Sequence, residues 1–303
     1  MANSIVSIFM SIILFICTLF RINCNTENPT GYGVYNDVSY GESSEQVFDL
    51  VIPQGIGNEL SLCVYIHGGA WTGGDKSNVA FMLKPYAEEK GMVTANVNYR
   101  LLKESQPELN YKTLCEDVNE AIKKVVSICE EKGIAIKKAM VMGESAGGHI
   151  SLMYAYTYYD KCPVEIGLVY SICGPTDMTD VRYFTENEIS PEYMLTLQSL
   201  LTGKTITAEN RFSPETIQAQ LEASPINYVN ENTVPTIFNS CGKDTLVPVS
   251  NGEHLEKLLK SYGVDYYYAE FVNSIHCARN KRDVVTTKVF DIKLDEMIDK
   301  YVK

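Results

Sequence analysis

Positive charge is scarce in this chain of 303 residues: 26 lysines and arginines stand against 38 aspartates and glutamates, a formal net charge of −12. With no basic patch to offset the repulsion, nucleic acid and anionic membrane surfaces are poor partners. Tryptophan occurs once and histidine four times. A general base can therefore be sought by elimination. Internal repeats and low-complexity linkers are also missing, so the chain forms one large domain or two small ones, with 45% hydrophobic residues to build a core.

The one long apolar run, Ile5 to Phe20, is shorter than the roughly 20 residues a bilayer span needs. Arg21 and a polar stretch follow it. The segment 1–24 reads as an export signal ending at the small residue Cys24, and the missing basic start leaves a signal anchor as the other reading. The protein is expected to be secreted or extracytoplasmic, with 25–303 as its catalytic domain. Nine cysteines would allow a disulfide framework in such a compartment, but their placement argues for few or none. Cys63, Cys173 and Cys241 fall in or at the ends of apolar runs, where a thiol serves as a small core residue. Cys115 and Cys129 share a helix face yet stand about 21 Å apart along it. Cys24, Cys162 and Cys277 cannot be assigned from their surroundings.

Strand-like and helix-like patterns alternate along the chain. Gln46 to Pro53 alternates apolar and polar residues as an edge or early strand, and Leu62 to Ile66 reads as a strand buried on both faces. A helix is expected from Asn78 to Lys90, a strand from Met92 to Asn98, and an amphipathic helix from Lys112 to Lys132 closed by Gly133. Such alternation implies a mostly parallel sheet flanked by helices.

Two glycine motifs follow buried strands. Val141-Met142-Gly143-Glu144-Ser145-Ala146-Gly147-Gly148-His149 carries Gly-x-Ser-x-Gly between an apolar run and a helical pattern. A serine on so sharp a turn is strained, and its neighbours two before and two after must be tiny. Ser145 is the candidate nucleophile, and the Ala146 N–H at the helix start is a candidate donor to an oxyanion. His67-Gly68-Gly69-Ala70-Trp71 follows the earlier strand; its paired glycines let backbone N–H groups approach a ligand, which nominates Gly68 and Gly69 as further donors.

In combination these motifs resemble the α/β-hydrolase esterases that carry His-Gly-Gly-x-Trp and Gly-x-Ser-Ala-Gly-Gly. The likeness extends to the hormone-sensitive-lipase-like carboxylesterases and, more closely, to the feruloyl and acetylxylan esterase type. The closer resemblance rests on Tyr40-Gly41 before Phe48-Asp49-Leu50, on Gly174-Pro175-Thr176-Asp177-Met178 and on Ser224-Pro225-Ile226. It implies an α/β-hydrolase fold with a mostly parallel central sheet and a serine, acid and histidine in that chain order.

The histidines then sort themselves. His67 belongs to the glycine loop and precedes the serine. His149 lies one turn past Ser145 and points into packing, and His254 sits between glutamates on a surface helix as a solvated side chain. His276 follows the run Tyr266 to Val272 on a loop at a strand's carboxyl end, where open parallel sheets bind ligands, and is the candidate base. Asp244, in Cys241-Gly242-Lys243-Asp244 after the strand Pro235 to Ser240, is the candidate acid. One departure stands out: the family places a glycine beside the histidine, whereas this chain has Ile275 and Cys277.

Residues 178–223 are polar, with helical patches from Glu192 to Leu201 and from Pro214 to Glu222, and read as a small cap. That cap and Trp71 are expected to line the substrate pocket. The reading is a serine carboxylesterase for short acyl esters, such as acetyl or feruloyl esters of polysaccharide, with no metal or organic cofactor and no obligate protein partner. An amidase of the kynurenine-formamidase type and a catalytically silent binding protein are the alternatives.

Overall fold

The computed structural model describes residues 32–303 apart from 79 and 187. The expected export segment, 1–24, lies outside the described residues. An eight-stranded sheet runs through the middle in the order β1-β2-β4-β3-β5-β6-β7-β8. The strands are β1 (Tyr32–Ser39), β2 (Val47–Pro53), β3 (Glu59–Ile66), β4 (Val93–Val97), β5 (Ala135–Glu144), β6 (Glu165–Ile172), β7 (Thr236–Cys241) and β8 (Tyr266–Phe271). Pairings β1/β2 and β2/β4 are antiparallel and all the others parallel.

Burial on both faces explains the near-continuous apolar runs in the central strands. In β5 the residues Ala139 to Met142 are fully buried, and β3 is closed from Leu62 to Ile66. On one face lie α2 (Tyr111–Glu131), α3 (Ala146–Thr157) and α6 (Ser250–Tyr262), which bury Leu114, Val118, Leu152, Leu255 and Leu259 against it. The other face carries α1 (Ala80–Glu88) and α7 (Val284–Tyr301), with Leu83, Tyr86, Phe290, Met297 and Ile298 in a second core. Each such side chain taken fully out of water contributes about 1.5–3 kcal/mol.

Local chemistry sets the helix limits. Asn110 accepts the Lys112 N–H at 3.0 Å and Thr113 bonds back to the Asn110 N–H, a reciprocal cap that starts α2. Ser190 and Ser213 cap α4 (Pro191–Thr202) and α5 (Pro214–Glu222), each with proline at the start. Both helices lie in the insertion between β6 and β7, as the sequence patches indicated. Two elements went unread: β1, which makes β2 an inner strand, and the C-terminal α7.

The insertion has a stitched neck. The Met178 N–H donates to Ser224 Oγ at 2.8 Å and the Ile226 N–H to the Thr176 carbonyl at 3.2 Å. Within it, Gln198 donates to the Met178 carbonyl and accepts from Gln220.

Candidate active site

β5 delivers Ser145 onto a turn with φ 52° and ψ −122°, and α3 begins at the next residue. No side chain enters this conformation freely, so packing must hold it. A Cβ on Gly147 would lie 2.0 Å from the Ile66 carbonyl oxygen, and one on Gly143 would lie 2.5 Å from both Gly147 and Ile66 backbone. The Ser145 N–H donates to the Ile172 carbonyl at 2.8 Å, which fixes the elbow to the neighbouring strand. At the first turn of α3 the Ala146 N–H has no partner within the helix.

His276 and Asp244 come to the serine from the ends of β8 and β7. His276 Nε2 lies 2.8 Å from Ser145 Oγ, and His276 Nδ1 lies 2.6 Å from Asp244 Oδ2. The Asp244 carboxylate is 1% exposed, and its other oxygen accepts from the N–H groups of Leu246 and Val247 at 2.8 and 2.9 Å. With Nδ1–H given to a carboxylate, Nε2 is left free to accept the serine proton.

The histidine loop solves the missing-glycine problem with a cysteine. Cys277 takes φ 54°, the left-handed conformation that glycine enters without a Cβ penalty. Asp283 supports the loop by accepting from the Asn273 backbone and from Ser274 Oγ, the latter at 2.6 Å.

Around the glycine loop, one expectation needs correction, that for Trp71. Gly68 packs directly beside Ser145 and Glu144, and Gly68, Gly69 and Ala146 stand as candidate oxyanion donors. Glu144, part-buried and with its carboxyl raised by desolvation, was missed from the sequence. Its place inside the serine motif was the available signal. Trp71 was expected to line the pocket, yet it is 6% exposed and its indole N–H donates to His149 Nδ1 at 3.1 Å. It is a packed support beneath the loop.

His149 is buried, as placed from sequence, and so is His67. His67 stacks on Tyr99 with ring centres 4.4 Å apart, and burial lowers its imidazole. His149 Nε2 pairs with the Ala223 carbonyl at 2.8 Å. His254 is not simply solvated: its Nδ1 lies 2.9 Å from Asp177 Oδ2, a carboxylate 8% exposed. Sequence reasoning could not see a partner 77 residues away. Asn251 extends this junction by accepting from the backbone of Thr176 and Asp177, which ties the start of the insertion to α6.

An open cleft of about 380 Å³ lies between the insertion and the Asp244 loop, lined by Arg182, Glu186, Thr245, Pro248 and Glu253 among others. Among the described residues no group of three or more His, Cys, Asp or Glu could hold a metal ion. No described helix is long and apolar enough to cross a membrane.

A family model described as BD-FAE matches residues 48–259. "Probable carboxylic ester hydrolase LipM" of Mycobacterium tuberculosis is 26% identical over 192 residues, covering 61% of this chain and 41% of that protein. Kynurenine formamidase of Danio rerio is 27% identical over 155 residues, half of each chain. The chain thus spans about half the length of the curated relatives it matches. A solved structure, a truncated carbohydrate esterase from gut microbiota, superposes with a TM-score of 0.65 at 18% identity, over 87% of this chain and 97% of that one. At that identity the likeness shows the fold, an α/β-hydrolase sheet with esterase neighbours.

Proposed function

Because this chain belongs to the BD-FAE family of α/β-hydrolase esterases, we propose that it hydrolyses short-chain carboxylic esters through an acyl-enzyme on Ser145. One observation carries the reading: the continuous hydrogen-bonded line from Ser145 Oγ through His276 to Asp244, at 2.8 and 2.6 Å. In this mechanism Ser145 Oγ attacks the ester carbonyl while His276 Nε2 takes its proton. The N–H groups of Gly68, Gly69 and Ala146 hold the oxyanion. His276 then returns the proton to the leaving alcohol, and water repeats the cycle on the acyl-serine. Asp244 keeps the imidazole in the required tautomer and offsets the imidazolium charge.

The polar cleft beside the Asp244 loop, with Arg182, Glu186 and Glu253 on its walls, favours a hydrophilic substrate such as an acetylated or feruloylated polysaccharide. The expected export segment, residues 1–24, would deliver the enzyme to such a substrate outside the cytoplasm.

The test is a rate series over acetyl, butyryl, octanoyl and palmitoyl nitrophenyl esters and acetylated xylan, for the wild type and Ser145→Ala. Acetyl preference with an inactive variant is the expected result. Equal wild-type and variant rates would remove the serine mechanism, and palmitoyl preference would replace the short-chain reading. A second reading, amide hydrolysis of a formylated aryl amine, is favoured by the similarity to kynurenine formamidase. Faster turnover of N-formylkynurenine than of acetyl esters would establish it.

A further inference from the structure

Seven cysteines are free thiols among the described residues, and three of these meet beneath the site. Cys173 follows β6, Cys241 ends β7, and Cys277 stands beside His276. The Cys173 and Cys241 sulfurs are 3.3 Å apart. Cys277 Sγ donates to the carbonyl of Ile172, the residue before Cys173, at 3.7 Å, which brings the third thiol to the same layer. A buried cysteine is ordinarily a small core side chain, which suffices for Cys115 and Cys129. It does not account for thiols from three separate segments meeting in one layer.

That layer adjoins every member of the line from Ser145 to Asp244. The carbonyl of Ile172, immediately before Cys173, accepts the Ser145 N–H at 2.8 Å. The carbonyl of Cys241 accepts the Asp244 N–H at 3.0 Å. Cys277 is covalently next to His276.

We propose that Cys173 and Cys241 form a disulfide on exposure to a small-molecule disulfide, with Cys277 as the relay thiol, and that the bond lowers hydrolytic activity. The Cys277 thiolate, half-buried, attacks oxidised glutathione and releases one reduced glutathione. Cys173 then attacks the Cys277 sulfur, releases the second glutathione and leaves a Cys173–Cys277 bond. Cys241 attacks Cys173 and returns Cys277 as a thiol. Two protein thiols are oxidised by two electrons, one glutathione disulfide is reduced, and the two thiol protons leave on the two glutathiones.

Forming the bond draws the sulfurs together by about 1.2 Å, since a disulfide is about 2.05 Å long. The carbonyls that seat Ser145 and Asp244 move with their chains. Misplacing reacting groups by about 1 Å costs on the order of 100-fold in rate, so even a fraction of that movement is visible in kcat. Their mutual contact and then burial leave these thiols raised and protonated at neutral pH, and the charged groups facing them are Asp244, Glu144 and His276. Exchange is therefore slow and is best followed over hours near pH ~8.5, where free thiols begin to ionise.

The experiment incubates the full chain with oxidised or reduced glutathione, then reads intact mass, a disulfide peptide map and kcat on a nitrophenyl ester. The expected result is loss of two hydrogens without retained glutathione, a peptide joining Cys173 to Cys241, and a kcat about tenfold lower that dithiothreitol restores. Cys173→Ala and Cys241→Ala should each abolish the response. If either fails to fold, the wild-type map still decides the pairing. A mass gain confined to Cys162, a bond between other cysteines, or a Cys173–Cys241 bond with unchanged kcat would each overturn the proposal. The activity arm rests on the hydrolase reading above. Should no ester be turned over, the map tests the pair separately, with the rate of fluorophosphonate labelling at Ser145 as the readout of the site.

Discussion

Trp71 and His149, 78 residues apart, share a hydrogen bond of 3.1 Å inside the core, with their rings edge to face at 5.3 Å. The indole can only donate, so His149 Nδ1 accepts and Nε2 carries the proton given to Ala223. One imidazole thus links the glycine loop, the helix behind the serine and the end of the insertion. Trp71→Phe would leave Nδ1 unpaired and buried, a loss of about 1–3 kcal/mol. Urea unfolding should show that loss with KM for short esters little changed. A raised KM at unchanged stability would instead make Trp71 a substrate-binding residue.

Acid should act on the same histidine. Desolvation lowers His149 from 6.5 to about 4, the Ala223 hydrogen bond only partly opposing it. Between those values the unfolded chain holds the additional proton, so stability is fully present above pH 6.5 and is lost as pH falls toward 4. The loss is on the order of 3 kcal/mol, and His67, also lowered by burial, adds in the same direction. Melting temperatures across this range should fall steeply for the wild type and less steeply for His149→Gln. Parallel curves would show that other groups govern the acid response.

Asp244→Asn preserves size but favours the wrong imidazole tautomer. It should lower kcat on the order of 10³–10⁴-fold, with KM and melting temperature nearly unchanged, measured on nitrophenyl acetate. A variant that keeps more than a tenth of wild-type kcat would exclude Asp244 as the orienting acid.

Two glycines separate steric demand from backbone conformation. Gly147→Ala drives a methyl to 2.0 Å from Ile66 oxygen and 2.6 Å from His67 oxygen, both main chain and unable to yield. That variant should lose more than about 4 kcal/mol or fail to fold. Gly133, at φ 74° with open space around it, should cost only about 1–2 kcal/mol as alanine, the left-handed penalty alone. Soluble yield and thermal melts of the pair make the comparison, and equal behaviour would refute the close-approach argument.

What could be read from the sequence follows from where the information is local. Strands β3 and β5 declare themselves because burial on both faces demands unbroken apolar runs. The serine motif is legible because the turn permits few residues at Gly143 and Gly147. β1 was not legible: Asp37 interrupts it at φ 52°, and the register shifts between Tyr35 and Val38. α7 was hidden by exposed apolar residues, Val285, Val289 and Ile292, which blur its buried stripe. The His254–Asp177 pair, the Trp71–His149 bond and the meeting of Cys173 with Cys241 depend on three-dimensional neighbours, and no spacing encodes them.

The stitched neck of the insertion bears on how such a protein can be diversified. Ser145, Asp244 and His276 hang from β5, β7 and β8, while the insertion leaves after β6 and returns before β7, closed at its base by Met178–Ser224 and Thr176–Ile226. A different excursion can therefore be spliced in between those points without re-threading any strand that presents the reacting groups. Several connections further out would have to be rebuilt in the graft, among them the Ala223 carbonyl that receives His149, the contact from the Glu188 N–H to the Thr245 carbonyl, and the Asp180 carboxylate and Tyr183 hydroxyl that meet Ser250 and Asn251. Under the proposed hydrolysis, selectivity and reaction chemistry would in this sense be separately inherited, one by an exchangeable module and the other by the sheet.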